Sequence, residues 1–341
     1  MAKKYPTISI VIPTLNAGEI LDKCLSFVAA QDYPKENIEI IIADGGSDDN
    51  TKEVAQKYGA KVYHNKLKTA EAGKAVGVKK AKNEIILLLD SDNFIPDTTW
   101  MKRMIEPFSD AEVLGSEPLH FDYRSTDGYL TRYTALLGMG DPMVYFTGNY
   151  DRYSHLSGRW TMLKVPFEDK GDWLKLTLLP KRVPTIGANG FMIRKSFFSD
   201  HKLGDYLFDI DLIALAVEKK PLKFAKVKVG LVHVFSGTMS TFIRKRRRMV
   251  KDYLFYQKSG LRTYPWSDTN KFGLAMFVIY TVLTVPTILQ SIKGFIKKPD
   301  SSWFIHPIAC WVTLWVYGTE FIKAKIWGAE IETRKNWKQT S

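Results

Sequence analysis

Residues 7–12, "TISIVI", form an unbroken apolar, β-branched run, the pattern of a strand buried on both faces. Pro13 and a polar turn end it, and Leu21, Leu25 and Val28 then recur at helical spacing. The unit repeats at once. "IEIIIADGGSDDNTKEVAQKYG" predicts a strand over 38–43, an acidic glycine-rich turn with Ser47 or Asp48 as helix N-cap, and Gly59 as the stop. "AKVYHN" predicts a third strand, "AGKAVGVKKAK" a helix and "EIILLLD" a fourth strand. Short strands alternating with helices predict an α/β fold, Rossmann-like, with a mostly parallel central sheet and right-handed crossovers. Ligands bind at the carboxyl ends of such strands, where the polar clusters at 13–16, 44–49 and 90–92 all fall.

From about 115 to 185 the pattern dissolves into aromatics, glycines and isolated charges, and no elements are predicted. Periodicity returns with "TIGANGFMIRKSFF", a glycine-rich turn leading to a strand and a helix. "GDYLFDIDLIALAVEKK" continues as a helix after two acids, and "AKVKVGLVHVF" is a strand ending near His233. Two long uncharged stretches follow, at 272–292 and 301–319. Each approaches the roughly 20 apolar residues needed to cross a bilayer core. The expected organisation is a catalytic domain over 1–238, a basic amphipathic interfacial segment over 239–270, a hairpin of two transmembrane helices over 271–322, and a basic cytoplasmic tail over 323–341.

With 341 residues, 45% of them hydrophobic, the chain can bury a full core, which excludes a disordered protein. The net charge of +13 is unevenly spread: from Met239 onward there are 17 Lys and Arg against 6 Asp and Glu. Basic residues flanking apolar stretches meet anionic headgroups, so the charge points to a membrane surface and not to nucleic acid. Cys24 and Cys310 are far apart with no CxxC spacing, which suggests neither a disulfide framework nor a zinc site. The apolar run near the N-terminus is too short for a signal peptide, so the fold is expected to begin with the first residues.

Several polar groups could carry chemistry. Asp90 and Asp92 close the fourth strand, and alternation places them on one face with Ser91 opposite. Such a pair can hold Mg²⁺ or Mn²⁺ together with oxygens of a diphosphate, or simply cap a strand end. Asp44 ends a neighbouring strand, where its carboxylate could accept from a base or ribose, and Gly46 beside it lets a ligand approach the backbone. Pro13, Thr14 and Asn16 leave the first strand, and Lys74 offers a cation for phosphate. Asp209 and Asp211 precede a helix whose dipole favours negative charge. Each taken alone is equally well explained as a turn or a cap.

Their order is more specific. "PTLN", "DGGSDDNT", "GKAVG", "LLLDSDN", "ANGFMIRKSFF" and "FDIDL", followed by a strand-end His and an Arg-rich segment, resemble family 2 glycosyltransferases of the GT-A fold over residues 7 to about 250. The resemblance implies a nucleotide-sugar donor, a divalent metal and inversion at the anomeric carbon. It places Asp44 on the nucleobase, Asp90 near the ribose or sugar, Asp92 on the metal, Asp209 as catalytic base, and Asn189 and Gly190 in the sugar-site turn. The chain departs from that family at Gly45, at Lys74 and Ala75, and at Phe208, where an Asp, an Arg-Asn pair and a Glu are usual.

Combined with the apolar C-terminal third, the pattern is similar to polyprenyl-phosphate sugar synthases. The expected donor is UDP- or GDP-linked, and the acceptor a polyprenyl phosphate or lipid-linked glycan. The expected location is the cell membrane, multi-pass, with the catalytic domain cytoplasmic. His233 is a candidate further metal ligand, and Arg244, Arg246, Arg247 and Arg248 are candidates for the acceptor phosphate. A processive polysaccharide synthase would carry QxxRW where this chain has "TFIRKRRR". A non-catalytic nucleotide-binding scaffold is the alternative of a different class.

Overall fold

The computed structural model describes residues 5–187, 189–199, 203–264 and 270–328. The first half follows the predicted alternation: β1 (Ile8–Thr14), α1 (Gly18–Ala29), β2 (Ile38–Asp44), α2 (Thr51–Lys57), β3 (Lys61–His64), α3 (Ala70–Lys80), β4 (Ile85–Leu88) and β5 (Asn93–Phe94). Next come α4 (Trp100–Ile105), β6 (Val113–Asp122), α5 (Tyr129–Leu137), α6 (Pro142–Thr147), β7 (Phe167–Asp169) and β8 (Trp173–Leu178). The chain continues through β9 (Phe191–Arg194), α7 (Asp209–Lys219), β10 (Leu222–His233) and α8 (Met239–Lys258). It closes with α9 (Lys271–Leu283), α10 (Val285–Lys297) and α11 (His306–Trp327).

The strands form one sheet in the order β3-β2-β1-β4-β9-β6-β10-β8-β7, with β5 paired to the end of β10. β1 and β4 are buried at every position, as a parallel strand covered on both faces must be. Only the β3-β2-β1-β4 half and the β6-β10 pair are parallel; β9 runs antiparallel between β4 and β6, and β8 antiparallel to β10. The mostly parallel expectation is therefore corrected to a mixed sheet. The reason is local: the Gly190 amide bonds to the Leu88 carbonyl at 3.0 Å, so β9 starts beside the carboxyl end of β4 and runs back along it.

Other local expectations shift as well. α2 begins at Thr51, not after Ser47 or Asp48, because the Ser47 hydroxyl is spent on Asp44. A short 3-10 turn, Lys195–Ser199, stands where a helix was expected after β9.

One apolar layer lies under α1 and α4, and a second under α3 and α7. Glycine sets the closeness of the second. A Cβ on Gly77 would sit 2.2 Å from Val11 Cγ1, and one on Gly73 would sit 2.6 Å from Pro13 Cβ. The "GKAVG" segment thus lays α3 directly on β1.

A third core joins α5 to the C-terminal helices, with Tyr133, Phe242 and Trp303 fully buried. The first of the two transmembrane helices expected over 271–322 is not one straight helix. α9 and α10 meet at 97° across Thr284, whose φ is 61°, and Pro286 lies in the first turn of α10, where its missing N–H is tolerated. At 13 residues each, they are about 20 Å long, short of the roughly 30 Å of a bilayer core. Among the described residues no single helix is long and apolar enough to cross a membrane; the bent pair passes by length and composition only when its halves are taken together. The tail expected over 323–341 lies outside the described residues from 329 onward.

Substituting Gly77→Ala should lower the urea midpoint, because overpacking a filled contact costs about 1–3 kcal/mol. Gly204→Ala, where a Cβ meets nothing within 4 Å, should leave the midpoint unchanged.

Candidate active site

A cleft of about 940 Å³ opens at the carboxyl ends of β1 and β4 and extends under α8 to α9 and α11. At its floor the chain leaves β4 at Leu88 and turns through Asp90-Ser91-Asp92, with the Asn93 amide bonding to the Asp90 carbonyl at 3.0 Å. The strand alternation read for this pair does not apply, since the residues lie in a turn. β5 then pairs Asn93 with His233 and Phe94 with Val232, and the Val234 amide donates to the Asp92 carbonyl at 2.9 Å. This short ladder carries His233 to the acidic turn. Asp92 Oδ1 lies 3.6 Å from His233 Nε2, and Asp92 Oδ2 lies 3.3 Å from Lys245 Nζ.

These environments lower both groups, for different reasons. Burial raises the Asp92 carboxyl, but Lys245 and His233 outweigh it and hold the group below its ordinary value. Burial lowers His233 in spite of Asp92, which keeps its imidazole neutral near pH 7, the form that ligates metal. An aspartate oxygen and an imidazole nitrogen 3.6 Å apart are donors that could join a divalent cation drawing further oxygens from a diphosphate. Among the described residues no group of three His, Cys, Asp or Glu gathers to hold a metal ion.

On the opposite wall Asp209 opens α7, and its Oδ2 lies 2.6 Å from Lys74 Nζ; both side chains are nearly buried. Burial raises Asp209, with Asp90 adding to the effect and Lys74 opposing it. Burial alone would lower Lys74, but Asp209 and Asp90 carry it above its ordinary value. Lys74 reaches this place because Gly73 and Gly77 press α3 onto β1.

The Asn189-Gly190 turn stands at φ 55° and 82°, and a Cβ on Gly190 would press Leu231 at 2.8 Å. Asn189 Oδ1 accepts from Asn93 at 3.1 Å, and its carbonyl accepts from Arg152 at 3.1 Å, which ties the turn to the acidic loop. Behind it Glu117 accepts from Arg152 at 2.7 Å, from Lys226, and from the Gly187 amide at 2.9 Å. Burial, with Arg152 beside it, pulls the Lys226 amine down to about 7. Arg152, Glu117 and Asp151 lie in or at the edge of the stretch where the sequence offered no periodicity, so nothing marked them.

The sequence candidates divide. Pro13, Thr14, Lys74, Asp90, Ser91, Asp92, Asn189, Asp209 and His233 line the cleft. Asn16, Asp44, Gly46 and Gly190 are not in its lining. Asp44 is buried and accepts from the Gly46 and Ser47 amides, each at 3.0 Å, and from Thr14 at 3.2 Å, so its oxygens serve its own turn.

The arginine run also splits. Arg244 and Arg248 line the cleft, whereas Arg247 pairs with Glu320 at 3.3 Å. Arg246 reaches the lining too, but it is fully buried and pairs with Asp141 at 2.9 Å, and Tyr317 of α11 also donates to Asp141. That three-residue contact fixes α8 against α6 and α11. Asp211 does the same for the 262–264 segment, accepting from the Tyr264 amide at 2.8 Å and pairing with Arg262 at 2.8 Å. Lys245 was the residue missed: within a basic run only its helical phase sets it apart.

The mixed α/β sheet, with an acidic turn at its centre and a buried acid on the cleft wall, is a GT-A-like fold. Residues 9–171, just under half of the chain, match the family model for glycosyl transferase family 2. Among relatives, it is 29% identical over 147 residues to glycosyltransferase AglE of Haloferax volcanii, covering 41% of this chain and 48% of that one. It is 35% identical over 108 residues to the Methanococcus voltae dolichyl N-acetyl-alpha-D-glucosaminyl phosphate 3-beta-D-2,3-diacetamido-2,3-dideoxy-beta-D-glucuronosyltransferase, covering 30% of this chain and 33% of that one. The matches therefore span less than half the length of these curated relatives. In structure, the chain resembles the mannosyltransferase PcManGT of Pyrobaculum calidifontis, solved with GDP-Man and Mn²⁺, at a TM-score of 0.52. That likeness covers 96% of this chain and 89% of the other at 11% identity, and it concerns the fold alone.

Replacing Arg246 with Ala strands Asp141 as a buried charge, a loss of about 3–5 kcal/mol. The melting temperature should fall by many degrees, and an unchanged melt would show that the contact holds nothing together.

Proposed function

We propose that the chain transfers a sugar, with inversion, from a UDP- or GDP-linked donor to a polyprenyl phosphate or lipid-linked glycan, at the cytoplasmic face of the cell membrane. The observation that carries this reading is the continuity of the cleft: it runs from Asp92 and Asp209 to Leu274 and Val278 of α9 and Phe321 of α11. A polar floor that opens onto apolar helices suits an acceptor with a charged head and a hydrocarbon tail. α9 to α11 also expose large side chains to solvent, Phe272, Ile296 and Trp327 among them at 72–75%. An exposed apolar surface of this extent beside a basic helix fits a bilayer interface. Being short and bent, α9 and α10 suit a position within the interface better than two straight spans. The Methanococcus voltae relative, named for a dolichyl-linked phosphate, agrees with a lipid-borne acceptor.

The chemistry follows from the residues. The donor diphosphate takes the Asp90-Ser91-Asp92 turn, and Mn²⁺ or Mg²⁺, held by Asp92 and His233, would neutralise charge on the leaving diphosphate. Asp209 faces the anomeric carbon from the acceptor side and takes the proton of an attacking hydroxyl. Lys74 orients that carboxylate and opposes the effect of burial on it. A phosphate acceptor arrives as an anion, and Asp209 then orients it. Arg244 and Arg248, on the cleft side of α8, suit the acceptor phosphate.

The direct test supplies radiolabelled UDP- and GDP-sugars to the protein in vesicles containing polyprenyl phosphate. Label should enter the organic extract in a Mn²⁺-dependent manner, while label appearing solely as free sugar contradicts the reading. With an alcohol acceptor, Asp209→Asn should cost about 10²–10⁴-fold in kcat. Near-normal transfer would remove Asp209 from the base role.

The pH profile with that acceptor carries a sign. Asp209 must be ionised and its pKa is raised, so the acid limb of kcat/KM should lie above the ordinary carboxylate value of 3.8. Lys74→Gln removes the opposing cation and should move the limb further up. A limb that stays in place or moves down would separate Lys74 from the base.

A further inference from the structure

Lys245 lies where the family reading of the cleft has no use for a lysine. Its Nζ is 3.3 Å from Asp92 Oδ2 and donates to the Phe235 carbonyl, with the Phe235 ring centroid 5.0 Å away. The side chain is 14% exposed, so this is not a solvated lysine swinging past a carboxylate. Its position is fixed from both sides. Phe242 is buried one turn earlier, Arg246 is locked to Asp141 one residue later, and Thr238 caps the helix by accepting from the Thr241 amide at 3.2 Å. The charged groups facing this ammonium are Asp92, Asp90 and His233 from the cleft floor and Arg248 from its own helix.

Asp92 Oδ1 faces His233 and Oδ2 faces Lys245, so a divalent ion arriving at the carboxylate meets an ammonium already paired with it. A divalent ion on its carboxylate would stand within a few ångström of the ammonium, and at that range like charges repel strongly wherever water is excluded. We propose that Lys245 is the resident counter-cation of Asp92, and that a divalent ion enters only by displacing it, together with the diphosphate of the donor. The inference rests on the reading of Asp92 and His233 as metal ligands.

The exchange balances charge. The diphosphate brings enough negative charge to bind the incoming ion and to receive the displaced ammonium, whereas a metal ion arriving alone must leave Lys245 buried without its partner. Metal and nucleotide binding are therefore coupled through one side chain. The coupling also reaches α8, since Lys245 lies on the helix that presents Arg244 and Arg248 to the acceptor end of the cleft.

Binding of Mn²⁺ alone, and with UDP or GDP, can be followed by electron paramagnetic resonance of the free ion in the full chain. The wild type should bind Mn²⁺ weakly without nucleotide. Lys245→Gln, neutral but still able to donate to Phe235, should bind Mn²⁺ alone roughly tenfold tighter or more. Lys245→Arg should behave as the wild type, and nucleotide should tighten Mn²⁺ far more in the wild type than in the Gln variant. Lys245→Met serves as the second neutral variant should Gln not fold. Equal Mn²⁺ affinity of wild type and neutral variant without nucleotide overturns the exchange alone. Absence of Mn²⁺ binding in all variants even with nucleotide overturns the metal reading and the exchange with it.

Discussion

Three carboxylates, Asp90, Asp92 and Asp209, line one cleft, two of them nearly buried, and the architecture around them depends on where their counter-charges come from. The answer is two lysines from opposite ends of the chain. Lys74 arrives on α3 and meets Asp209 at 2.6 Å; Lys245 arrives on α8 and meets Asp92 at 3.3 Å. Burying such charges is costly unless each finds a partner. The close seating of α3 on β1 through Gly73 and Gly77, and the locking of α8 through Arg246 and Asp141, therefore serve the site as much as the fold.

This arrangement binds the C-terminal third to the sheet and its cleft. α8 contributes a cation to the cleft floor, a buried arginine to the contact with α6 and α11, and two arginines to the cleft wall. The apolar helices beyond it are not an independent appendage: Phe277 and Tyr280 of α9 stack edge-on against Phe146 of α6, and Trp303 is wholly buried. A membrane surface that engages α9 to α11 would thereby be mechanically continuous with the site.

How much of this could be read from the sequence depended on the range of the interactions. β1, β2 and β4 announce themselves because a parallel strand covered on both faces must be continuously apolar, and the three helices between them because their periodicity is local. β9 carried no mark of its direction, since what turns it antiparallel is the Gly190 contact with Leu88, about a hundred residues away. The motif marked the acidic turn at the cleft floor but not its geometry, because β5 is two residues long and exists only through its pairing with β10. Asp44 was marked by its motif, and what the sequence did not show is that its register partner Thr14 and its own turn donate to its oxygens. The arginine run read as four equivalent cations, and only the helical phase, set by tertiary contacts, separates Arg246 and Arg247 in contacts with Asp141 and Glu320 from Arg244 and Arg248 at the cleft. The long apolar stretch at 272–292 had the composition of a span, but Thr284 and Pro286 divide it.

The central claim is that a nucleotide diphosphate and its cation occupy the turn between β4 and β5. A crystal structure with a nucleoside diphosphate and Mn²⁺, phased to show anomalous scattering, tests it most directly. The account predicts a manganese peak between Asp92 and His233, bridged to the diphosphate, with the Lys245 ammonium withdrawn from Asp92. Nucleotide bound away from this turn, or bound there with Lys245 still on Asp92 and no manganese peak, would contradict it.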